Sequence, residues 1–248
     1  MFWIKPFANS VITALALSSA SAALAETIVV KSAGPSARSY PPGKSIPDNS
    51  KLTLKSGDSV TILDGRGTRI FKGPGLFATT ASTATDSSFS ALLRNTGTRQ
   101  VRTGAVRGAG TTVQTRPASV WLVDASKSGT VCVAGTGSVS LWIPPHDAAA
   151  NLTITRQSDG KSVPVAMRAL QSVKAWPLAD LPIKAGEQFK IAGHGFANPA
   201  VVRFAVLGPN PQGLESTASA LIKAGCNAQL DLLIETVSAP ADAELPVG

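Results

Sequence analysis

Residues 51–75, KLTLKSGDSVTILDGRGTRIFKGPG, decide the fold class, because short apolar strands alternate there with tight glycine turns. Leu52 and Leu54 fall on one face of a strand, and Val60 and Ile62 on one face of the next, since side chains alternate across a pleated strand. Gly57-Asp58 reads as the turn between them. Asp64-Gly65-Arg66-Gly67 supplies residues that tolerate positive φ, which suits a hairpin reversal before Thr68-Arg69-Ile70-Phe71. Gly73-Pro74-Gly75 ends that strand, so the stretch predicts a small β domain.

Toward the N-terminus, residues 1–25 read as a secretory signal: Lys5 is the positive flank, residues 11–17 the apolar core, and Ala23-Leu24-Ala25 a small-x-small cleavage site. Ser18, Ser19 and Ser21 interrupt an apolar run already shorter than the roughly 20 residues that a membrane span needs. The expectation is cleavage after Ala25 and a mature, exported, periplasmic chain. The net charge of +8 favours anionic surfaces such as phosphate-rich lipids or acidic partners. An exported chain seldom meets nucleic acid, so no nucleic-acid partner is expected. Thr27-Ile28-Val29-Val30-Lys31 then reads as a strand, followed by the turn signals Gly34-Pro35 and Tyr40-Pro41-Pro42-Gly43.

The order of features over residues 28–77 is an approach through Gly43 and Ile46, then Leu-x-Leu-x-x-Gly-Asp, an apolar strand with Asp-Gly, Thr-Arg-Ile and a Gly-Pro-Gly exit. It resembles the periplasmic β domain of the FecR type, on Leu52, Leu54, Gly57, Asp58, Asp64, Gly65 and Gly75. The resemblance implies that fold, a periplasmic setting and a non-catalytic sensing or scaffold role. FecR proteins carry a cytoplasmic segment and a transmembrane helix ahead of this domain, which these residues do not match, so control of a sigma factor is not implied.

Residues 78–117 change character. Ala78-Thr79-Thr80-Ala81-Ser82-Thr83-Ala84-Thr85 lacks the bulk to form a core, which predicts a linker rich in Ser, Thr and Ala. Arg94, Arg99, Arg102, Arg107 and Arg116 follow, with no acidic residue between Asp86 and Asp124. Arg94, Arg99, Arg102 and Arg107 are the candidate anion-binding set; the alternative is a solvated connection whose arginines keep it soluble.

A second β-rich domain is expected over residues 118–237. Val120 and Leu122, Val131 and Val133, then Val139, Leu141 and Ile143 mark strands with glycine turns between them. Leu152 and Ile154, Val163, Val165 and Met167, and residues 173–176 continue the pattern around the turn Ser158-Asp159-Gly160-Lys161. Phe189-Lys190-Ile191 is one more strand, and residues 201–207, apolar apart from Arg203, read as a central strand covered on both faces. Leu214, Ala218, Leu221 and Ile222, then Leu230, Leu233, Ile234 and Val237, recur at helical spacing on either side of Gly225. The fold class is therefore mainly β: a small FecR-like β domain (26–77) plus a second β-rich domain closed by a C-terminal two-helix hairpin, with 238–248 a flexible tail. Ser140-Leu141-Trp142, Ala175-Trp176-Pro177 with Leu181-Pro182-Ile183, and Gly225-Cys226-Asn227-Ala228-Gln229 also resemble a C-terminal module of FecR-like periplasmic proteins.

The chemistry-bearing residues are few. Cys132 and Cys226 are the only cysteines, and an even count in an oxidising compartment predicts a disulfide. The alternative is a pair of buried thiols acting as small apolar groups. Trp121, Trp142 and Trp176 sit on predicted strands and would serve either as core or as an exposed aromatic platform for a sugar or peptide. His146 and His194 lie in predicted turns without the partners of a catalytic triad, and neither has the spacing of a zinc site. Gly108-Ala109-Gly110 and Gly135-Thr136-Gly137 do not continue into a dinucleotide or phosphate loop. No catalytic residue, metal or cofactor is expected. The sequence points to a non-enzymatic periplasmic sensing or adaptor protein, whose partner is another envelope or inner-membrane protein. An envelope-binding module for glycan or anionic lipid is the alternative, and an exported hydrolase the reading with least support.

Overall fold

The computed structural model describes residues 27–79 and 116–238, apart from 48, 66, 194, 195, 209, 210 and 212. The fold is mainly β with two C-terminal helices. In the first part, β1 (Thr27–Ala33), β2 (Ser45–Ile46), β4 (Ser59–Asp64) and β5 (Gly67–Lys72) form an antiparallel sheet in the order β2-β1-β4-β5. β3 (Ser50–Leu54) and β6 (Gly75–Thr79) pair beside it as an antiparallel ribbon. Leu52, Leu54, Val60 and Ile62 meet Val29, Ile46, Phe71 and Phe77 in one core, as the alternation predicts. Asp64 pairs with Gly67, so two residues close the hairpin between β4 and β5.

Asp58 explains why its turn is so well held. Its buried carboxylate accepts hydrogen bonds from the Ser36 amide (2.8 Å) and the Lys55 amide (2.5 Å), and its carbonyl accepts from the Gly73 amide (3.0 Å). Burial alone would raise the pKa of this carboxyl, but the Ser36 hydroxyl, the two amides and the nearby Lys55 charge together lower it. A Cβ at residue 73 would stand 2.0 Å from the Lys55 carbonyl oxygen, so the close passage of β5's exit over this turn requires glycine.

The second part contains β7 (Leu122–Asp124), β8 (Gly129–Val133), β9 (Ser140–Trp142), β10 (Ala150–Arg156), β11 (Ser162–Met167), β12 (Val173–Ala175), β13 (Gln188–Gly193) and β14 (Ala200–Val206). They form a five-stranded sheet, β11-β10-β13-β14-β8, and a three-stranded sheet, β12-β9-β7. Both sheets contribute to one apolar cluster, centred on Leu141, Leu152, Ile154, Phe189, Val202 and Phe204. Trp176 meets Phe189 and Phe204 edge to face, with ring centroids 5.1 and 5.0 Å apart, and its indole N–H donates to the Leu181 carbonyl at 2.8 Å. The expectation that residues 201–207 are covered on both faces is corrected. β14 is interior to its sheet, with Val202 and Phe204 buried, but Val201 is 37% exposed and Arg203 is exposed. The guanidinium keeps that face in water.

The helices are α1 (Leu214–Ala224) and α2 (Asn227–Thr236). Gly225 ends α1 in the left-handed conformation (φ 72°), with its amide on the Ile222 carbonyl and the Cys226 amide on the Leu221 carbonyl. The hairpin does more than close the second sheet. Leu214, Ala218, Leu221, Leu230 and Leu233 share a core with Trp121 and Cys132 and also with Ile28, Val30 and Leu63 of the first sheet. β1 and β4 are therefore covered on both faces: Val29, Val60 and Ile62 point to one core, and Ile28, Val30 and Leu63 to the helices. Each such side chain contributes about 1.5–3 kcal/mol when fully buried. The predicted tail begins with an ordered residue, since Ser238 pairs with Thr68 in a parallel bridge and its hydroxyl donates to the Ile234 carbonyl. The rest of that segment, 239–248, lies outside the described residues.

Candidate functional site

The predicted disulfide is present. Cys132 on β8 is bonded to Cys226, the N-cap of α2, with S–S 1.99 Å and Cα atoms 5.9 Å apart. Both residues are fully buried. The turn at Gly225 is what brings Cys226 down onto the strand, because α1 stops there and α2 starts at once.

One helical turn into α2, Gln229 makes the second tie between helix and strand. Its carboxamide oxygen accepts from the Cys132 amide at 2.6 Å, while its nitrogen donates to the Cys132 carbonyl at 2.8 Å and to the Val120 carbonyl at 2.5 Å. The side chain is buried and its oxygen and nitrogen both have partners. Sequence reasoning quoted Gln229 as the last residue of the Gly225–Gln229 stretch but gave it no role. The available signal was an amide three residues after Cys226, on a helix whose neighbouring positions Leu230 and Leu233 are apolar.

Beside this junction lies a cavity of about 70 Å³ between α2 and the strands β7 and β8. Leu122, Val131 and Leu232 supply apolar lining, and Gly129 and Thr130 supply strand backbone. Around the mouth, charges stand in pairs: Arg116 with Glu235 at 3.5 Å, Lys127 with Asp124 at 3.6 Å, and Lys31 with Asp231 at 2.5 Å.

The other predicted site residues do not assemble here. Trp121, Trp142 and Trp176 are 3%, 2% and 3% exposed, which corrects the aromatic-platform expectation: a ring sealed in a core offers no face to a ligand. Trp121 belongs to the helix-covered core and Trp176 to the core between the sheets. Arg94, Arg99, Arg102 and Arg107 lie outside the described residues, as does His194. Arg116 is described and is engaged by Glu235. His146 has its Nδ1 3.3 Å from the Pro144 carbonyl, within its own turn. Among the described residues no group of three or more His, Cys, Asp or Glu could hold a metal ion.

Among the described residues, Asp159 is a carboxylate held ionised by its own turn. Arg156 grips Asp159 through Nε (2.9 Å) and Nη2 (2.6 Å), and the Lys161 amide donates to the same carboxylate at 3.0 Å. The bonds from Arg156, then that from the Lys161 amide, hold the pKa of Asp159 at about 2 against the opposing effect of desolvation. This pair staples the turn between β10 and β11, where Gly160 has φ 72°. No protein-family model and no curated protein matches this chain.

Proposed function

We propose that the chain is a non-enzymatic sensing or adaptor protein of the FecR-like type, exported to the periplasm with its signal removed after Ala25. The observation that carries this reading is the buried Cys132–Cys226 bond, which fits an oxidising compartment and fastens the helical hairpin to β8. The same hairpin packs on the first sheet, and a rigid scaffold of this kind suits a protein that presents surfaces to a partner. The FecR-like part of the reading rests on the resemblance of residues 28–77, whose Leu52 and Leu54 are core residues and whose Asp58 holds its turn. The partner is another envelope or inner-membrane protein. Among the described residues no helix is long and apolar enough to cross a membrane, which is compatible with this placement.

The test is fractionation of cells expressing the full chain, with N-terminal sequencing of the product and photocrosslinking from exposed positions such as Val201. A periplasmic product beginning at Glu26 that crosslinks to a discrete envelope protein supports the proposal. A cytoplasmic product with two alkylatable thiols overturns it.

A further inference from the structure

β8 is the outer strand of the five-stranded sheet, so among the described residues one side of its backbone has no strand beside it. Successive residues of a strand direct their N–H and C=O groups to opposite sides. Val133 faces β14, since its carbonyl accepts from the Leu207 amide at 2.9 Å, whereas Cys132 faces Gln229. Thr130, two residues before Cys132, therefore directs its N–H and C=O to the same outward side as Cys132. At Cys132 the carboxamide of Gln229 fills that side as a neighbouring peptide group would. At Thr130 the cavity takes its place.

We propose that this cavity is a peptide-binding site, in which an extended segment of a partner protein pairs with Thr130 as an added strand. One small uncharged side chain of that segment lies on Leu122, Val131 and Leu232. An outward N–H and C=O at one residue call for a peptide group, and the Gln229 amide already fills the adjoining rung, so the incoming strand continues an existing contact. The apolar lining calls for an uncharged side chain. The rim pairs Arg116 with Glu235, Lys127 with Asp124 and Lys31 with Asp231, so its charges are balanced and complement a neutral segment rather than an acidic or basic one. The inference gives the adaptor reading a partner of stated chemistry and rests on that reading for its biological setting.

The test titrates the 15N-labelled protein with an acetylated, amidated pentapeptide of alternating threonine and valine, followed by amide chemical shifts. Saturable shifts at Gly129, Thr130 and Val131 are expected. The same peptide carrying N-methyl groups on its three central amides should bind about tenfold more weakly, because it loses the donors of the added strand while the protein is untouched. Thr130→Pro removes the outward N–H at an edge position that tolerates proline and should weaken the unmodified peptide similarly. Equal binding of the methylated peptide, shifts confined to another surface, or no shifts at millimolar peptide overturns the proposal. The adaptor reading fails separately, in fractionation and crosslinking: a peptide-binding chain retained in the cytoplasm refutes that reading and leaves this one standing.

Discussion

The amide of Thr68 donates to the carbonyl of Val237 at 2.9 Å, and the Thr68 hydroxyl lies 3.3 Å from the Ile234 carbonyl. The end of α2 is thereby fastened to β5, an edge strand of the first sheet, across more than half the sequence. These bonds lie next to the core that Ile28, Val30 and Leu63 share with both helices, so the first sheet and the hairpin support each other.

That mutual support has a measurable consequence for proteolysis. The low-complexity run and arginines between residues 80 and 115 make this the segment where limited trypsin should cut first. The two fragments should nonetheless elute together in size-exclusion chromatography without denaturant. Separation of the fragments after a single cut would show that the hairpin does not hold the first sheet.

Leu63→Ala tests the same core from one side chain. Leu63 is fully buried against the helices, and its truncation should destabilise the protein by about 2–5 kcal/mol in urea unfolding. The transition should stay single when followed by tryptophan fluorescence and by far-UV circular dichroism. Two separate transitions in the parent protein would argue for independent units.

The buried disulfide should resist dithiothreitol in the native protein and become reducible only in denaturant, since neither sulfur is accessible. Replacing both cysteines by alanine should cost about 2–5 kcal/mol, within the range expected when a closed loop of this length is released. Rapid native-state reduction, followed by mass spectrometry of alkylated thiols, would contradict the burial of the bond.

Gln229→Leu keeps the size of the side chain and removes its amide. The Cys132 N–H and C=O and the Val120 C=O would then be buried without this partner, at a cost of about 3 kcal/mol or more. Amide exchange should accelerate at Cys132 in particular. A variant as stable as the parent would show that water replaces the lost amide.

Asp159 predicts the acid limb of stability. Its carboxyl has a folded pKa of about 2, below the ordinary aspartate value of 3.8, so its contribution is complete above the unfolded value and declines as pH falls from about 4 through 2. Asp159→Asn should therefore lower stability near neutrality slightly, because the pair is partly exposed, and the difference from the parent should shrink steadily from about pH 4 and be largely lost at pH 2. Unfolding midpoints at pH 6, 4 and 2 check the sign.

Local patterning determined most of the secondary structure. Alternation placed Leu52, Leu54, Val60 and Ile62 in one core, helical spacing with Gly225 divided α1 from α2, and cysteine count with expected export paired Cys132 with Cys226. These features are legible because strand and helix periods and turn chemistry act over a few residues. Only the tertiary structure decided which elements are covered twice. The sequence suggested double cover at residues 201–207, yet it falls on β1 and β4, because the hairpin returns to the first sheet and leaves Val201 and Arg203 in solvent. The tryptophans were equally ambiguous as strings of residues, and burial resolved them. Gln229 could not be assigned to Cys132 beforehand, since the two are 97 positions apart and an amide in a helix carries no periodic mark of the strand it will meet. Contacts of that range arise from packing, which no local pattern encodes.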